Sequence, residues 1–155
     1  MDKVQLYRQL EDEARARAAG ERNPIANAAN FAALMWQLLP DINWAGFYFR
    51  SGRWLVLGPF MGKPACTRLQ VGHGVCGTAV EKAQTVLVPD VHQFPGHVAC
   101  DTSSNSELVV PLFRFGGIMG VIDLDSLLLS RFDEEDARGI ETLAKFWVTA
   151  SDDFG

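Results

Sequence analysis

The sequence predicts an α+β fold in which the helices lie mainly on one face of a central antiparallel sheet. Two observations predict it. Apolar residues recur at helical spacing near both ends of the 155-residue chain. Between those ends lie two pairs of β-branched and aromatic segments, each pair joined by a short turn that contains glycine. Helices at the ends and hairpins between them indicate an α+β domain rather than a parallel α/β one.

Two helices are predicted within about residues 2–39. The first, from 2 to about 19, has a thin apolar stripe at steps of four, formed by Leu6, Leu10, Ala14 and Ala18. We expect this stripe to pack on the body of the protein or on another subunit, so a homodimer is one expectation. Asn23 and Pro24 supply an N-cap and a proline at the first position of the second helix, which Pro40 ends.

The sheet core is expected over about 42–124. Its first hairpin has a turn at Ser51 and Gly52, and a short helix at 75–82 and a short strand at 85–88 follow. Residues 89–106 show no periodicity, and a stretch of that length without regular structure is typical of a lid or a binding loop.

Residues 107–115 and 118–124 form the second predicted hairpin, with Gly116 and Gly117 as a two-residue turn able to take positive φ. The final helix, at about 133–150, begins with Asp133 as its N-cap and carries early acidic residues that suit the helix dipole. We expect one domain over residues 1–155.

Charge and hydropathy restrict the protein class. Lysine and arginine number 14 against 19 acidic residues, a net charge of -5, and no basic block is present. Nucleic acid and acidic membrane surfaces are therefore not expected as partners. No uncharged apolar run approaches the about 20 residues of a membrane span, and no secretory signal is apparent, so the expected location is the cytoplasm.

The three cysteines carry the first functional signal. Their odd number fits a reducing compartment and leaves open a pair that forms and breaks during a reaction. Cys100 lies in the polar segment 97–107, where a cysteine serving only as a small apolar residue would be out of place. It is the candidate nucleophile; an inert buried thiol is the alternative.

Three carboxylates form the second signal. Asp123 and Asp125 lie two apart on a predicted strand, so both face the same side, and Glu107 comes from the neighbouring strand. Carboxylates crowded into one pocket would raise at least one pKa, so that a protonated acid stands beside an ionised one. The alternative is that these acids lie at a solvated end of the hairpin.

No metal site or organic cofactor is predicted. His73, His92 and His97 accompany the cysteines, but the chain lacks the CxxC and HxxxH pairs that structural zinc sites usually show.

Longer motifs resemble a known family. The block from Glu107 to Asp125, followed by residues 132–136, resembles the central hairpin and final helix of a GAF domain, and residues 71–80 and 86–91 resemble earlier parts of it. Because GAF domains serve many functions, this resemblance speaks to the fold alone. One branch, the free methionine-(R)-sulfoxide reductases, is resembled over nearly the whole chain, in Asn43–Tyr48, Gly58–Phe60, the three cysteines, Ser104–Glu107 and Asp123–Asp125.

The resemblance implies a thiol reductase without cofactor. Cys100 would attack the sulfoxide sulfur and become a sulfenic acid, while a carboxyl protonates the departing oxygen. Cys66 would be the resolving thiol that forms a disulfide with Cys100, and thioredoxin would reopen it. The residues alone do not choose between Cys66 and Cys76, which stays a secondary resolving candidate.

The same resemblance implies the substrate contacts. Trp44 would wall the pocket near the substrate methyl group, and Tyr48 lies on the same strand face, although aromatic residues at such positions are more often core. The residues themselves suggest the roles of Glu107, Asp123 and Asp125: a carboxyl kept protonated would donate to the sulfoxide oxygen, and an ionised neighbour would hold the ammonium of a free amino acid. Backbone N–H groups of Ser104–Glu107 would receive its carboxylate.

Two other functions use the same features. A GAF small-ligand sensor would bind a molecule such as a cyclic nucleotide, although the NKxnFx3DE run of cyclic GMP-binding members is absent from the sequence. A redox-sensing protein would use the thiols without a small substrate.

Overall fold

A computed structural model describes residues 1–97, 100 and 103–154, and these contain four α-helices and six strands. The helices are α1 Lys3–Ala18, α2 Pro24–Leu38, α3 Gly74–Lys82 and α4 Glu134–Ala150. The strands are β1 Trp44–Ser51, β2 Trp54–Gly62, β3 Arg68–Gln70, β4 Val86–Val88, β5 Ser106–Arg114 and β6 Gly117–Ser126. They form one antiparallel sheet in the order β3-β2-β1-β6-β5-β4, which confirms the predicted α+β class.

Local capping sets where the helices begin. Asn23 accepts hydrogen bonds from the backbone of Ile25 and Ala26, and Pro24 occupies the first turn of α2, as predicted. Asp133 caps α4 through a capping box with Asp136. The sequence did not predict β3, which is only three residues long.

The sheet separates two apolar clusters. On one face, α1, α2 and α4 cover a core that includes Phe31, Phe47 and Trp147. The stripe of α1 lies in this cluster, with Leu10 and Ala14 buried, so this helix packs on its own chain and its apolar face gives no argument for a homodimer. Of the helices in the described part of the chain, none has the length and apolar composition of a membrane span.

The other face of the sheet is covered by α3, whose Val75 and Cys76 pack with Trp44 and Tyr48 of β1. This is the face toward which the predicted site residues of β1, β5 and β6 point. The functional site therefore lies between the sheet and α3, on the side away from the larger core.

A buried charged cluster joins α1 to α4. The Asp136 carboxylate, which is fully buried, accepts hydrogen bonds from the Tyr7 hydroxyl at 2.6 Å, from Lys3 Nζ at 2.6 Å and from Arg131 Nη1 at 3.3 Å. Such pairing offsets much of the cost of removing a carboxylate from water. The cluster fixes the N-terminal helix on the face opposite α3.

The turn of the second hairpin lies one residue earlier than predicted. Phe115 (φ 53°) and Gly116 (φ 76°) form it, while Gly117 pairs with Arg114 in the ladder. Two consecutive residues with positive φ match the type I′ turn, whose twist suits the flanking strands. The prediction of Gly116 and Gly117 was therefore wrong by one position.

A β-bulge then determines which side chains share a face. The register skips Met119, because Phe113 pairs with Ile118 and Leu112 with Gly120. Beyond the bulge Glu107 pairs with Asp125. Without the extra residue the register would shift by one, and Glu107 would point to the face opposite the two aspartates.

Candidate functional site

A pocket lies between α3, the centre of the sheet and two loops. The predicted site residues that line it are Trp44, Tyr48, Cys76, Cys100, Glu107, Asp123 and Asp125. Lys63 and His73 also line it. Neither was predicted as a residue of this pocket, because residues outside helices and strands follow no periodic pattern. The cavity measures about 60 Å³.

Three carboxylates come together on the pocket side of the hairpin. Glu107 lies opposite Asp125 in the ladder, and Val109, on the same face, lies opposite Asp123. Glu107 is 7% exposed and Asp123 is 6% exposed. The alternative of a solvated hairpin end is therefore wrong for these two acids, and their juxtaposition confirms the predicted crowding.

Burial raises the pKa of Glu107 well above its usual value, and the charges of Asp123 and Asp125 raise it further. Burial likewise raises the pKa of Asp123, but hydrogen bonds with Glu107 and Cys76 oppose this rise. Glu107 is therefore the carboxyl of this pair that is more readily kept protonated. Asp123 Oδ1 is buried with no hydrogen-bond partner among the described residues.

Replacing Glu107 with glutamine is expected to change how stability depends on pH. Four other titratable groups face the Glu107 carboxyl: Asp123, Asp125, Cys76 and Tyr48. Because folding raises the pKa of Glu107, the wild type loses stability as the pH rises through the pKa that Glu107 has in the folded state. Glu107→Gln removes this titration. From pH 5 to pH 9, the free energy of unfolding of the variant should therefore rise by at least about 1 kcal/mol relative to that of the wild type.

Urea unfolding of reduced protein at both pH values measures the difference. Glu13→Gln on α1, far from the pocket, is the control and should follow the wild type. A constant difference between Glu107→Gln and the wild type at both pH values would contradict the prediction.

Cys66 and Cys100, which lie 34 positions apart in sequence, form a disulfide with their Cα atoms 5.5 Å apart. Cys66 is half-buried in the loop between β2 and β3. Cys76 is the free, buried cysteine, and its Sγ lies 4.0 Å from Glu107 Oε2. Burial, followed by the charges of Asp123 and Glu107, raises the pKa of the Cys76 thiol. A thiol held protonated is a poor nucleophile.

Aromatic side chains of the first hairpin form one wall. The Trp44 ring stacks on Phe60, with centroids 5.2 Å apart, and on Tyr48 at 5.9 Å. Trp44 Nε1 donates to the carbonyl of Lys63 at 3.1 Å, and the Tyr48 hydroxyl donates to the carbonyl of Cys66 at 2.9 Å. Both rings are therefore fixed by stacking and by a hydrogen bond.

The loop predicted at 89–106 begins with a short 3-10 turn, and its residues 98–99 and 101–102 lie outside the described residues. His97 lines the pocket, and burial and nearby His92 lower its pKa. The Asn105 N–H donates to the Ser126 carbonyl at 2.8 Å, so it is not available to a ligand carboxylate. The predicted role of backbone donors over 104–107 is therefore wrong at Asn105.

The pocket also suits a small cation. Cys76 Sγ and one carboxylate oxygen each of Glu107 and Asp123 lie within 4.8 Å of one another, and all three residues are buried. A thiol and two carboxylates at this spacing suit either a metal ion or an ammonium group. This group contains no CxxC or HxxxH pair, so the sequence pattern did not predict it.

Comparison with known proteins gives consistent relatives. A GAF domain family model matches residues 31–146. The free methionine-R-sulfoxide reductase of Escherichia coli (strain K12) is 50% identical over 143 residues, covering 92% of this chain and 87% of that protein. A free methionine-R-sulfoxide reductase of Neisseria meningitidis, solved with its substrate, superposes with a TM-score of 0.94 at 43% identity, covering 97% and 90% of the two chains. A putative GAF sensor protein from Burkholderia vietnamiensis superposes equally well, at 0.94 and 51% identity over 97% and 96%.

Proposed function

Because the chain belongs to the GAF-domain free methionine-(R)-sulfoxide reductase family, we propose that it reduces free L-methionine-(R)-sulfoxide to L-methionine. The observation that carries this proposal is the Cys66–Cys100 disulfide beside a pocket that holds three carboxylates. In its reduced dithiol form this cysteine pair supplies the two electrons that the reduction needs and becomes the disulfide, and the carboxyls supply the proton and a site for the cation.

The reaction begins in the reduced protein. Substrate is expected to react after the disulfide opens, because only a free Cys100 thiolate can act as a nucleophile. The Cys100 thiolate attacks the sulfoxide sulfur, Glu107 protonates the sulfoxide oxygen, and the oxygen ends on Cys100 as a sulfenic acid while methionine leaves. Burial and neighbouring charge favour Glu107 as donor because they raise its pKa.

The second half of the reaction restores the disulfide. The Cys66 sulfur attacks the sulfenic sulfur of Cys100, the S–O bond breaks, and the oxygen leaves as water. Cys76 is the weaker resolving candidate because its buried thiol stays protonated. A thioredoxin dithiol then reopens the disulfide by exchange and itself becomes oxidised.

Specificity for the free amino acid follows from charge. The substrate ammonium would lie beside Asp123 and Asp125, with Asp123 Oδ1 as an acceptor that needs a hydrogen bond. A methionine within a peptide has no ammonium to offer, so the buried acids would lose their partner. Trp44 would contact the methyl group on sulfur and so favour the R epimer.

The test is an assay coupled to thioredoxin, thioredoxin reductase and NADPH. Free R and S sulfoxides and a peptide-bound sulfoxide are compared, with thioredoxin omitted as the control. We expect sustained turnover with the free R epimer alone. Equal rates with the S epimer or the peptide would contradict the proposed pocket, and binding of a cyclic nucleotide without any turnover would favour the sensor function.

A further inference from the structure

The loop that carries Cys66 is attached to the pocket wall by side chains of β1. This loop, residues 63–67, joins β2 to β3 and is called the resolving loop below. Trp44 Nε1 donates to the Lys63 carbonyl at its beginning. At its end, the Leu57 N–H donates to the Thr67 carbonyl at 3.0 Å. At Cys66 itself, the carbonyl accepts the Tyr48 hydroxyl at 2.9 Å.

Tyr48 is a rigid anchor for this contact. It lies on β1, which pairs with β2 on one side and β6 on the other, and it is 2% exposed. Its ring stacks on Trp44. Burial, followed by the negative charge of Asp123, raises the pKa of the phenol, so the hydroxyl keeps its proton at every working pH. That single proton is donated to Cys66, so Tyr48 has none to give to a substrate oxygen.

The resolving step depends on where Cys66 lies. A disulfide forms only when the two Cα atoms are within about 7 Å, and here they are 5.5 Å apart. Once the disulfide is reduced, nothing covalent holds the two loops together, and a free loop gains conformational entropy by moving away. A hydrogen bond from a rigid strand to the Cys66 carbonyl acts against that movement.

We propose that Tyr48 is a positioning residue for disulfide formation, because its hydroxyl holds the Cys66 carbonyl and so keeps the resolving loop within reach of Cys100. The step it serves rests on the proposed function: Cys66 attacks the sulfenic sulfur of Cys100, the S–O bond breaks, and water leaves. The same contact also sets the equilibrium between the dithiol and the disulfide, which needs no sulfoxide.

The first experiment measures that equilibrium in Tyr48→Phe. Reduced and oxidised protein are equilibrated with glutathione and glutathione disulfide, and the oxidised fraction is read after thiol alkylation. Losing one hydrogen bond of ordinary net strength should lower the equilibrium constant for disulfide formation about fivefold, because only the dithiol form becomes freer to move. An equilibrium constant equal to that of the wild type would overturn the proposal.

Tyr7→Phe is the matched control. It also deletes a buried, hydrogen-bonded tyrosine hydroxyl, but on the far side of the sheet, where that hydroxyl donates to Asp136. We expect Tyr7→Phe to lose stability in urea unfolding while keeping the wild-type thiol–disulfide equilibrium. A shift of the equilibrium in Tyr7→Phe equal to that in Tyr48→Phe would overturn the proposal, since general loss of stability would then explain both.

A kinetic measurement separates this proposal from the proposed function. Reduced protein is mixed with free R-sulfoxide, and methionine release and disulfide formation are followed together in samples quenched with acid. In Tyr48→Phe the rate of disulfide formation divided by the rate of methionine release should fall about fivefold. An unchanged ratio would overturn the positioning role. If the wild type releases no methionine, the proposed function fails, while the glutathione equilibrium still tests the contact.

Discussion

Cys100→Ser is expected to release no methionine above background when the reduced protein is mixed with excess free R-sulfoxide. A serine hydroxyl is not ionised at neutral pH, attacks sulfur poorly and cannot store the oxygen as a sulfenic acid. Loss of a nucleophile typically lowers kcat by at least about 10³-fold. The measurement is the amount of methionine formed per chain in one mixing experiment without thioredoxin, analysed by chromatography.

The other two cysteines give matched controls with the same atom change. Cys66→Ser should release about one methionine per chain and then stop, because the sulfenic acid finds no resolving thiol. Cys76→Ser should still cycle with thioredoxin, because its thiol is buried and protonated and Cys66 forms the disulfide. A single burst in Cys76→Ser together with cycling in Cys66→Ser would exchange the two roles. Methionine release by Cys100→Ser would remove Cys100 as the nucleophile.

The position of the acids shows how far sequence reasoning reached. Alternation along a strand placed Asp123 and Asp125 on one face, and this needs only the period of two. Glu107 joins them because the register skips Met119. With the predicted turn and an unbroken ladder, Glu107 would have pointed to the face opposite the two aspartates. No residue pattern near Met119 indicated the bulge.

The thiols show a different limit. Polar surroundings indicated Cys100, and the structure places it at the pocket. Choosing between Cys66 and Cys76 depended on how a loop and a helix pack, which periodicity does not determine. The structure buries Cys76 on the side of α3 that packs on the sheet and places Cys66 in a loop.

Tyr48 was predicted as a substrate contact on the basis of its strand face, and its ring does line the pocket. Its hydroxyl donates to a carbonyl 18 residues away in sequence, within a loop that has no regular pattern. Partners of this kind depend on loop conformation, so a sequence pattern could state only that a buried hydroxyl needs one.

Asp123→Asn should lower kcat/KM for free R-sulfoxide by about 10²- to 10³-fold, since truncating one partner of a buried charge pair costs several kcal/mol. The amide has nearly the shape of the carboxylate but no charge to pair with the substrate ammonium. The coupled thioredoxin assay measures this loss. Asp12→Asn on the exposed side of α1 is the control, and its kcat/KM should equal that of the wild type.

A substrate analogue shows whether the lost interaction is the one with the ammonium. 4-(Methylsulfinyl)butanoate is the substrate without its amino group, so the wild type should reduce it far more slowly than the free sulfoxide. In Asp123→Asn the ratio of the two kcat/KM values should shrink by at least about tenfold, because the contact that distinguishes the two substrates is gone. An equal loss for both substrates would mean that Asp123 does not bind the ammonium and acts on the sulfur chemistry instead.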